Sequence, residues 1–381
     1  MYDIVDYGLM AADCKRREAY AEALRRAVTP GSVVVDIGTG TGVFALLACS
    51  FGARRVFAIE PDNSIFVAQE LAAANGYAER IEFIQDFSTN VTLPERADVI
   101  ISDMRGILPL VQQHIPTIID ARERLLARAG VLIPQRDTLW VSVVETADLY
   151  RDFTAPWEDT AYGFDLRAAR KAAVNSSRKA RPGCQMLTEP ECWATLGYAD
   201  IKDANAGAEV HLRVIRAGTG HGLAVWFDTI LTEGICLTNS PAEPQLPYGQ
   251  VFFPWTEAVN LEVGDTITVL LQAKLMGDYY VWRWDTRVFE QGNPARVKGD
   301  FKQSTFYGDP LLPARLRKQE AGYLPTLTDA GRLDLMILEL MNQPCSLGDI
   351  AERIQKQFPL RFSQWRDALD HVCELSMRYG Q

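Results

Sequence analysis

Apolar residues come in short continuous runs over the first third of the chain and in alternation over its middle. Val33–Val35 in "PGSVVVDIG", Val56–Ile59 in "RVFAIE", "IEFIQD", Ala97–Ile101 in "ADVIISD" and "GVLIPQ" read as strands buried on both faces. Helical stretches separate them: residues 8–28, "VFALLACSFG" ended by Gly52, 62–75 closed by Asn75-Gly76, and "IIDARERLLARAG". Strand and helix in alternation predict an α/β fold, a parallel sheet with helices on both faces. After about residue 140 the period changes to two. "TLWVSVVE", "AEVHLRVIRAG", "GLAVWFDTIL", "DTITVLLQAKL" and "YYVWRWDTRV" read as half-buried antiparallel strands of a sandwich or barrel. "GTGHG" (218–222) and "MGD" (276–278) lie between such runs and predict hairpins. The basic stretch "LRAARKAAVNSSRKARPG" (166–183) reads as a helix or arm, either a solvated face or a projecting contact for a partner. From about residue 323 three amphipathic helical stretches follow, and Ser346 with Asp349 predicts a capping box.

Composition narrows the function classes. The 381 residues suffice for two or three domains, each burying its own core. A net charge of −10 argues against a general nucleic-acid binder. Seven cysteines, odd in number and without a CxxC, and only four histidines argue against a zinc site, so no metal is expected and the thiols read as reduced. The N-terminus carries charges where a signal peptide needs an apolar core, and no apolar run approaches the ~20 residues that span a bilayer. The expectation is a soluble, cytoplasmic protein with no membrane partner.

The most specific stretch is "VVVDIGTGTG". Gly38, Gly40 and Gly42 allow a sharp turn after a strand and bring backbone N–H groups close to a ligand. A dinucleotide fingerprint needs glycine where Val43 stands, and Asp36 inside the motif repels phosphate, so the ligand reads as small and without pyrophosphate. Glu60 ends the second strand, placed to accept both hydroxyls of a ribose. Asp86 and Phe87 end the next, where a carboxylate meets an amino group and a ring stacks on a purine. These features resemble the class I S-adenosylmethionine-dependent methyltransferases, which implies S-adenosyl-L-methionine as cofactor.

The order of segments resembles one family among these, the protein arginine methyltransferases, from about residue 5 to about 290. "GVFALLACSFGARRVFAIE", "ARERLLARAGVLIPQRDTLWV" and "YGFDL" carry the similarity. The resemblance implies a Rossmann-like methyltransferase domain over 1–137 and an antiparallel β-barrel or sandwich domain over 138–322. It also implies a head-to-tail homodimer through an inserted arm at 164–190. Asp13 and Arg16 would lie on an N-terminal helix closing over the cofactor, with Arg16 facing its carboxylate. In the family the loop after the fourth strand carries two glutamates that clamp a guanidinium. Here those positions are Asp103 and Gln112, a third position near the transferred methyl is Arg105, and the family's Thr-His-Trp triplet is missing from residues 245–253. Losing one carboxylate and gaining an arginine removes roughly two units of negative charge, and unit charges ~4 Å apart interact by a few kcal/mol at an effective dielectric of ~20.

The three amphipathic stretches in residues 323–381 predict a small helical, winged-helix-like module. They resemble the PqqD-like peptide-binding modules, which capture a leader peptide by strand addition; a plain helical cap or dimer element is the alternative. The sequence alone therefore points to a methyltransferase acting on a peptide or small-molecule acceptor other than arginine. Asp103 is the orienter or base, Arg105 and Gln112 orient the acceptor, and His114 is a second base or a structural histidine. Arg105 paired with Asp103, and arginine N-methylation, are the alternatives; a cofactor-fold protein without catalysis that binds peptides is the reading from another class.

Overall fold

In the computed structural model the apolar runs of the first third form one parallel sheet: β1 (Val33–Ile37), β2 (Arg55–Ile59), β3 (Ile81–Ile84), β4 (Ala97–Ser102) and β5 (Leu126–Ile133), ordered β3-β2-β1-β4-β5. Every neighbouring pair is parallel. All five residues of β1 are buried, as its unbroken apolar run requires. β1 has β2 on one side and β4 on the other, so the strand order reverses there and a ligand crevice opens beyond the carboxyl ends. The structure describes residues 3–158, 163–180, 183–244, 246–309, 317–318 and 320–380.

The helix expected over 8–28 is two helices, α1 (Ile4–Ala12) and α2 (Cys14–Ala27). Asp13 separates them: its backbone is extended, and its carboxylate caps α2 by accepting from Arg16 N at 2.7 Å. α2 buries Tyr20, Ala23 and Leu24, whereas α1 buries nothing. Along the sheet follow α3 (Val43–Ser50), α4 (Ser64–Ala74) and α5 (His114–Arg124).

The middle of the chain makes two antiparallel sheets. One has seven strands, among them β6 (Arg136–Glu145), β7 (Arg178–Lys179), β8 (Gln185–Met186), β9 (Glu191–Gly197), β11 (Gly218–Thr232), β12 (Ile235–Thr238) and β13 (Val251–Leu261). The other runs β10 (Ala206–Arg213), β14 (Thr266–Met276), β15 (Tyr279–Glu290), β16 (Asn293–Phe301). "MGD" supplies the β14–β15 turn, with Gly277 at φ +62°. "GTGHG" does not make a hairpin: it opens β11, with a bulge between Gly220 and Gly222. A Cβ on Gly220 would sit 2.6 Å from the Trp255 ring, so that glycine makes room for a core side chain and turns nothing. The basic stretch gives α6 (Ala147–Glu158) a neighbour in α7 (Arg167–Ala173), then pairs with the sheet through β7 on β13, a strand the sequence reading left out. Residues 181 and 182 of the expected arm lie outside the described residues.

Met1–Pro310 is one compact unit and Leu311–Gln381 a second, so the division falls before the expected 322/323. The second unit holds α8 (Asp329–Met341), α9 (Leu347–Gln357) and α10 (Trp365–Tyr379) around Leu333, Ile337, Ile350, Ile354 and Val372. The Ser346–Asp349 capping box starts α9. No strand occurs among the described residues of this unit, so capture of a leader by strand addition finds no sheet edge there. No helix among the described residues is long and apolar enough to cross a membrane, and none of their His, Cys, Asp and Glu side chains cluster to hold a metal.

Candidate active site

The crevice at the carboxyl ends of β1 and β2 is built on glycine. Gly38, Gly40 and Gly42 have φ of +71°, +54° and +79°. A Cβ at each would meet Met104 Cγ at 2.7 Å, the Tyr7 ring at 2.4 Å and Ala68 Cβ at 2.9 Å. Only glycine fits there, on conformational and on steric grounds. Glu60, buried at the end of β2, accepts from Gly40 N through Oε2 and from Asp62 N through Oε1, both at 3.0 Å. Asp36, buried at the end of β1, accepts from Thr39 Oγ1 at 2.5 Å. Burial pushes Glu60 above its ordinary pKa, and pushes Asp36 up to about 7. Two carboxylates short of positive charge beside a glycine cradle suit a cationic ligand with hydroxyls, since a bound cation repays their desolvation. Asp86 and Phe87 are not drawn into this cluster: Asp86 Oδ1 caps its own turn through Phe87 N and Asn90 Nδ2, and the Phe87 ring is exposed.

A second cluster abuts the first through Met104 and through Arg16, whose guanidinium carbon lies 5.0 Å from the Phe44 ring centre on α3. Its centre is Asp103, just past β4. Arg16 Nε and Nη2 donate to Asp103 Oδ2 at 2.7 and 2.6 Å, and the Tyr248 hydroxyl donates to the same oxygen at 2.6 Å. Arg105 Nε and Nη2 donate to Oδ1 at 3.3 and 3.1 Å. Burial alone would raise the Asp103 pKa, but Arg16 and Arg105 more than offset it and hold the carboxyl at about 2.

Arg105 does not face an acceptor, contrary to the expectation. It is fully buried, with Nη1 on Asp137 Oδ1 of β6 at 3.0 Å and Nη2 on the Tyr20 hydroxyl. The Tyr198 hydroxyl donates to the other oxygen of Asp137. His114 is no second base. It is buried, its Nε2 lies 3.2 Å from the Tyr198 hydroxyl, and burial together with Arg105's charge lowers it to about 3, so it stays neutral. Gln112 lies exposed on the loop at φ +42° and orients nothing at Asp103.

The site thus gathers Arg16, Asp103 and Arg105 in one cluster, and Asp36, Gly38, Gly40, Gly42 and Glu60 in another. Sequence reasoning passed over Tyr20, Asp137, Tyr198 and Tyr248. For Tyr248 a signal existed: it stands in the very segment where the Thr-His-Trp triplet is missing.

A doubly wound sheet with this crevice, followed by antiparallel sheets, defines a class I methyltransferase. Residues 20–139 match the family model described as ribosomal protein L11 methyltransferase, and residues 135–277 match the arginine methyltransferase oligomerization subdomain. Protein arginine N-methyltransferase PRMT10 of Oryza sativa subsp. japonica is 38% identical over 298 residues, covering 68% of this chain and 78% of that one. Protein arginine N-methyltransferase 1 of Dictyostelium discoideum is 26% identical over 269 residues, with the same shares. Among solved structures, Arabidopsis thaliana protein arginine methyltransferase 10 superposes with a TM-score of 0.70 at 25% identity, over 79% of this chain and 97% of that one. The Trypanosoma brucei PRMT1 enzyme-prozyme complex with AdoHcy shares the fold, with a TM-score of 0.71 at 21% identity over 78% and 96%. This chain belongs to the protein arginine methyltransferase family.

Proposed function

We propose that this chain methylates the guanidinium of an arginine in a protein or peptide, with S-adenosyl-L-methionine as donor, and works as a homodimer. The observation that carries the acceptor is Asp103: ionised, buried, and already holding a guanidinium, that of Arg16, on Oδ2. The main reading of the sequence counts Arg105 as a charge facing the acceptor, with its pairing to Asp103 as the alternative, and the pairing is what the structure holds. Asp137 neutralises Arg105 inside the protein, so the argument for an anionic acceptor loses its premise. Relatives that are arginine N-methyltransferases support the same reading.

The donor supplies an electrophilic methyl group on a sulfonium. Glu60 would hold its ribose hydroxyls, Asp36 and the three glycines its amino-acid end, and Asp86 and Phe87 its purine. Arg16 would turn to its carboxylate, which frees Oδ2 of Asp103 for the incoming guanidinium. Asp103, held in its ionised form by the buried Arg105, is far too weak a base to deprotonate a guanidinium, whose pKa exceeds ~12. Its work is to orient the acceptor and draw positive charge towards the nitrogens it binds, leaving electron density on the nitrogen that attacks; that nitrogen gives up its proton to water as it gains the methyl group. The oligomerization match over 135–277 supports a homodimer through 164–190, to be checked by light scattering at micromolar concentration.

The test is mass spectrometry of arginine peptides after incubation with the donor. Methyl groups on the guanidinium are expected, and Asp103→Asn should cut turnover at least ~10²-fold while cofactor affinity in calorimetry survives. Methylation at another residue, or full activity of Asp103→Asn, would overturn the assignment.

A further inference from the structure

The two oxygens of Asp103 are not equivalent. Among the described residues Oδ1 takes only Arg105, and that donor cannot leave. Arg105 is fully buried, tied at Nη1 to Asp137 and at Nη2 to Tyr20, with its guanidinium carbon 5.0 Å from the Phe227 ring centre and 5.4 Å from that of Tyr248. Withdrawing it would strand Asp137, a carboxylate with no exposure, inside the core. The donors on Oδ2 are exchangeable. The side chain of Arg16 keeps 11% exposure, and the Tyr248 hydroxyl can swing its proton elsewhere by rotation about one bond.

We propose that Arg105 is a positioning residue that commits Oδ1 of Asp103, so that the acceptor guanidinium is held through Oδ2 alone. The inference rests on the guanidinium reading above. Carboxylates commonly bind guanidinium with both oxygens, through two parallel hydrogen bonds. Here Arg16 displays the other mode, Nε and Nη2 converging on one oxygen, and the substrate inherits it. The binding lost at Oδ1 is the cost of a carboxylate locked in one orientation. Arg105 therefore lowers affinity for the acceptor and keeps Asp103 ionised at low pH.

The first variant is Arg105→Met/Asp137→Leu, which removes the buried pair together; the Tyr198 hydroxyl, released from Asp137, can turn its proton to His114 Nε2, 3.2 Å away. The second is Tyr248→Phe, nearly isosteric, which removes a competitor from Oδ2 and leaves Oδ1 as it was. Binding of an arginine peptide is measured by calorimetry with S-adenosylhomocysteine present, alongside KM, kcat and the pH profile of kcat/KM.

The double variant should bind the peptide about tenfold more tightly, because Oδ1 is released and one charge-assisted hydrogen bond is worth about that factor. Its kcat should fall as the carboxylate loses its lock. The acid limb should move to higher pH. The charged and titratable groups around Asp103 are Arg16 and Tyr20 from α2, Arg105 from its own loop, Tyr248, and Asp137 and His114 behind Arg105; the variant removes one of the two cations that hold Asp103 down. Tyr248→Phe should bind the peptide severalfold more tightly, since only Oδ2 receives it. Unchanged or weaker binding in either variant that retains wild-type circular dichroism and cofactor affinity overturns the inference. So does an acid limb that stays in place in the double variant. The wild type's own methylation of arginine scores the parent reading separately, since the binding comparison needs no turnover.

Discussion

Removing Arg105 alone should destabilise the protein far more than removing it together with Asp137. In Arg105→Met, Asp137 loses the donor 3.0 Å from Oδ1 and, among the described residues, keeps only the Tyr198 hydroxyl, with no exposure to water. Stranding one member of a buried ion pair costs about 3–5 kcal/mol. The Tyr20 hydroxyl also loses the donor it accepts from, Arg105 Nη2, a further cost of up to ~1–3 kcal/mol, partly offset because methionine fills the volume without a desolvated charge. The net expectation is a loss of about 4 kcal/mol. Asp137→Leu alone should cost less, about 2–3 kcal/mol, because Arg105 retains Asp103, Tyr20 and Tyr248. The double variant replaces the pair by apolar volume and should lie within about 1–2 kcal/mol of wild type. Urea unfolding followed by tryptophan fluorescence is the assay, with Trp226 and Trp255 buried in the Met1–Pro310 unit. With a slope of about 3 kcal/mol/M, the single variant's midpoint should drop by more than about 1 M, and the double-mutant cycle should give a coupling of about 5 kcal/mol. A single variant within ~1 kcal/mol of wild type, or strictly additive losses, would refute the idea that Asp137 neutralises Arg105.

Three further outcomes follow from the same geometry. Gly40→Ala should weaken S-adenosylmethionine binding at least ~tenfold, because φ +54° strains the new residue and its Cβ strikes the Tyr7 ring at 2.4 Å; adding Tyr7→Ala should recover part of that affinity in calorimetry. Glu60→Ala should weaken the same binding by ~1–3 kcal/mol, and unchanged affinity would remove Glu60 from the cofactor site. His114 should make the protein acid-labile: an unfolded histidine takes a proton below about 6.5 while the buried one refuses it down to about 3, so stability falls with pH across that window, by about 2 kcal/mol at pH 5. His114→Phe should flatten the curve between pH 6.5 and 5, and an unchanged slope would assign it to another group.

What the sequence reveals and what it conceals divide by distance along the chain. The parallel sheet is legible because each strand announces itself within a handful of residues, and Asp36 and Glu60 are legible because a strand end is a local fact. Where one local pattern serves two purposes, the reading fails. The glycines of "GTGHG" look like a turn, yet Gly220 is small to admit Trp255, which arrives from β13. Asp13 looks like one more polar position on a helix, yet its carboxylate starts a new one.

Arg105 shows the same limit in the chemistry, and there it reverses a conclusion. Within its loop the only opposite charge is Asp103, so a count along the loop leaves the site two charges short of a guanidinium clamp. The partner that decides the matter is Asp137, 32 residues away, brought under the loop because β6 starts the antiparallel sheet directly behind the parallel one. Asp137 gives no sign in the sequence, where it is one acid at the start of an apolar strand. A buried arginine with its own carboxylate adds little net charge to the active site, and acts there through the oxygen it occupies and the low pKa it helps impose on Asp103. The loop's oddity is therefore not a change from binding cations to binding anions. It is a clamp with one oxygen committed in advance, and the affinity of that clamp for arginine is the quantity in which the change should be read.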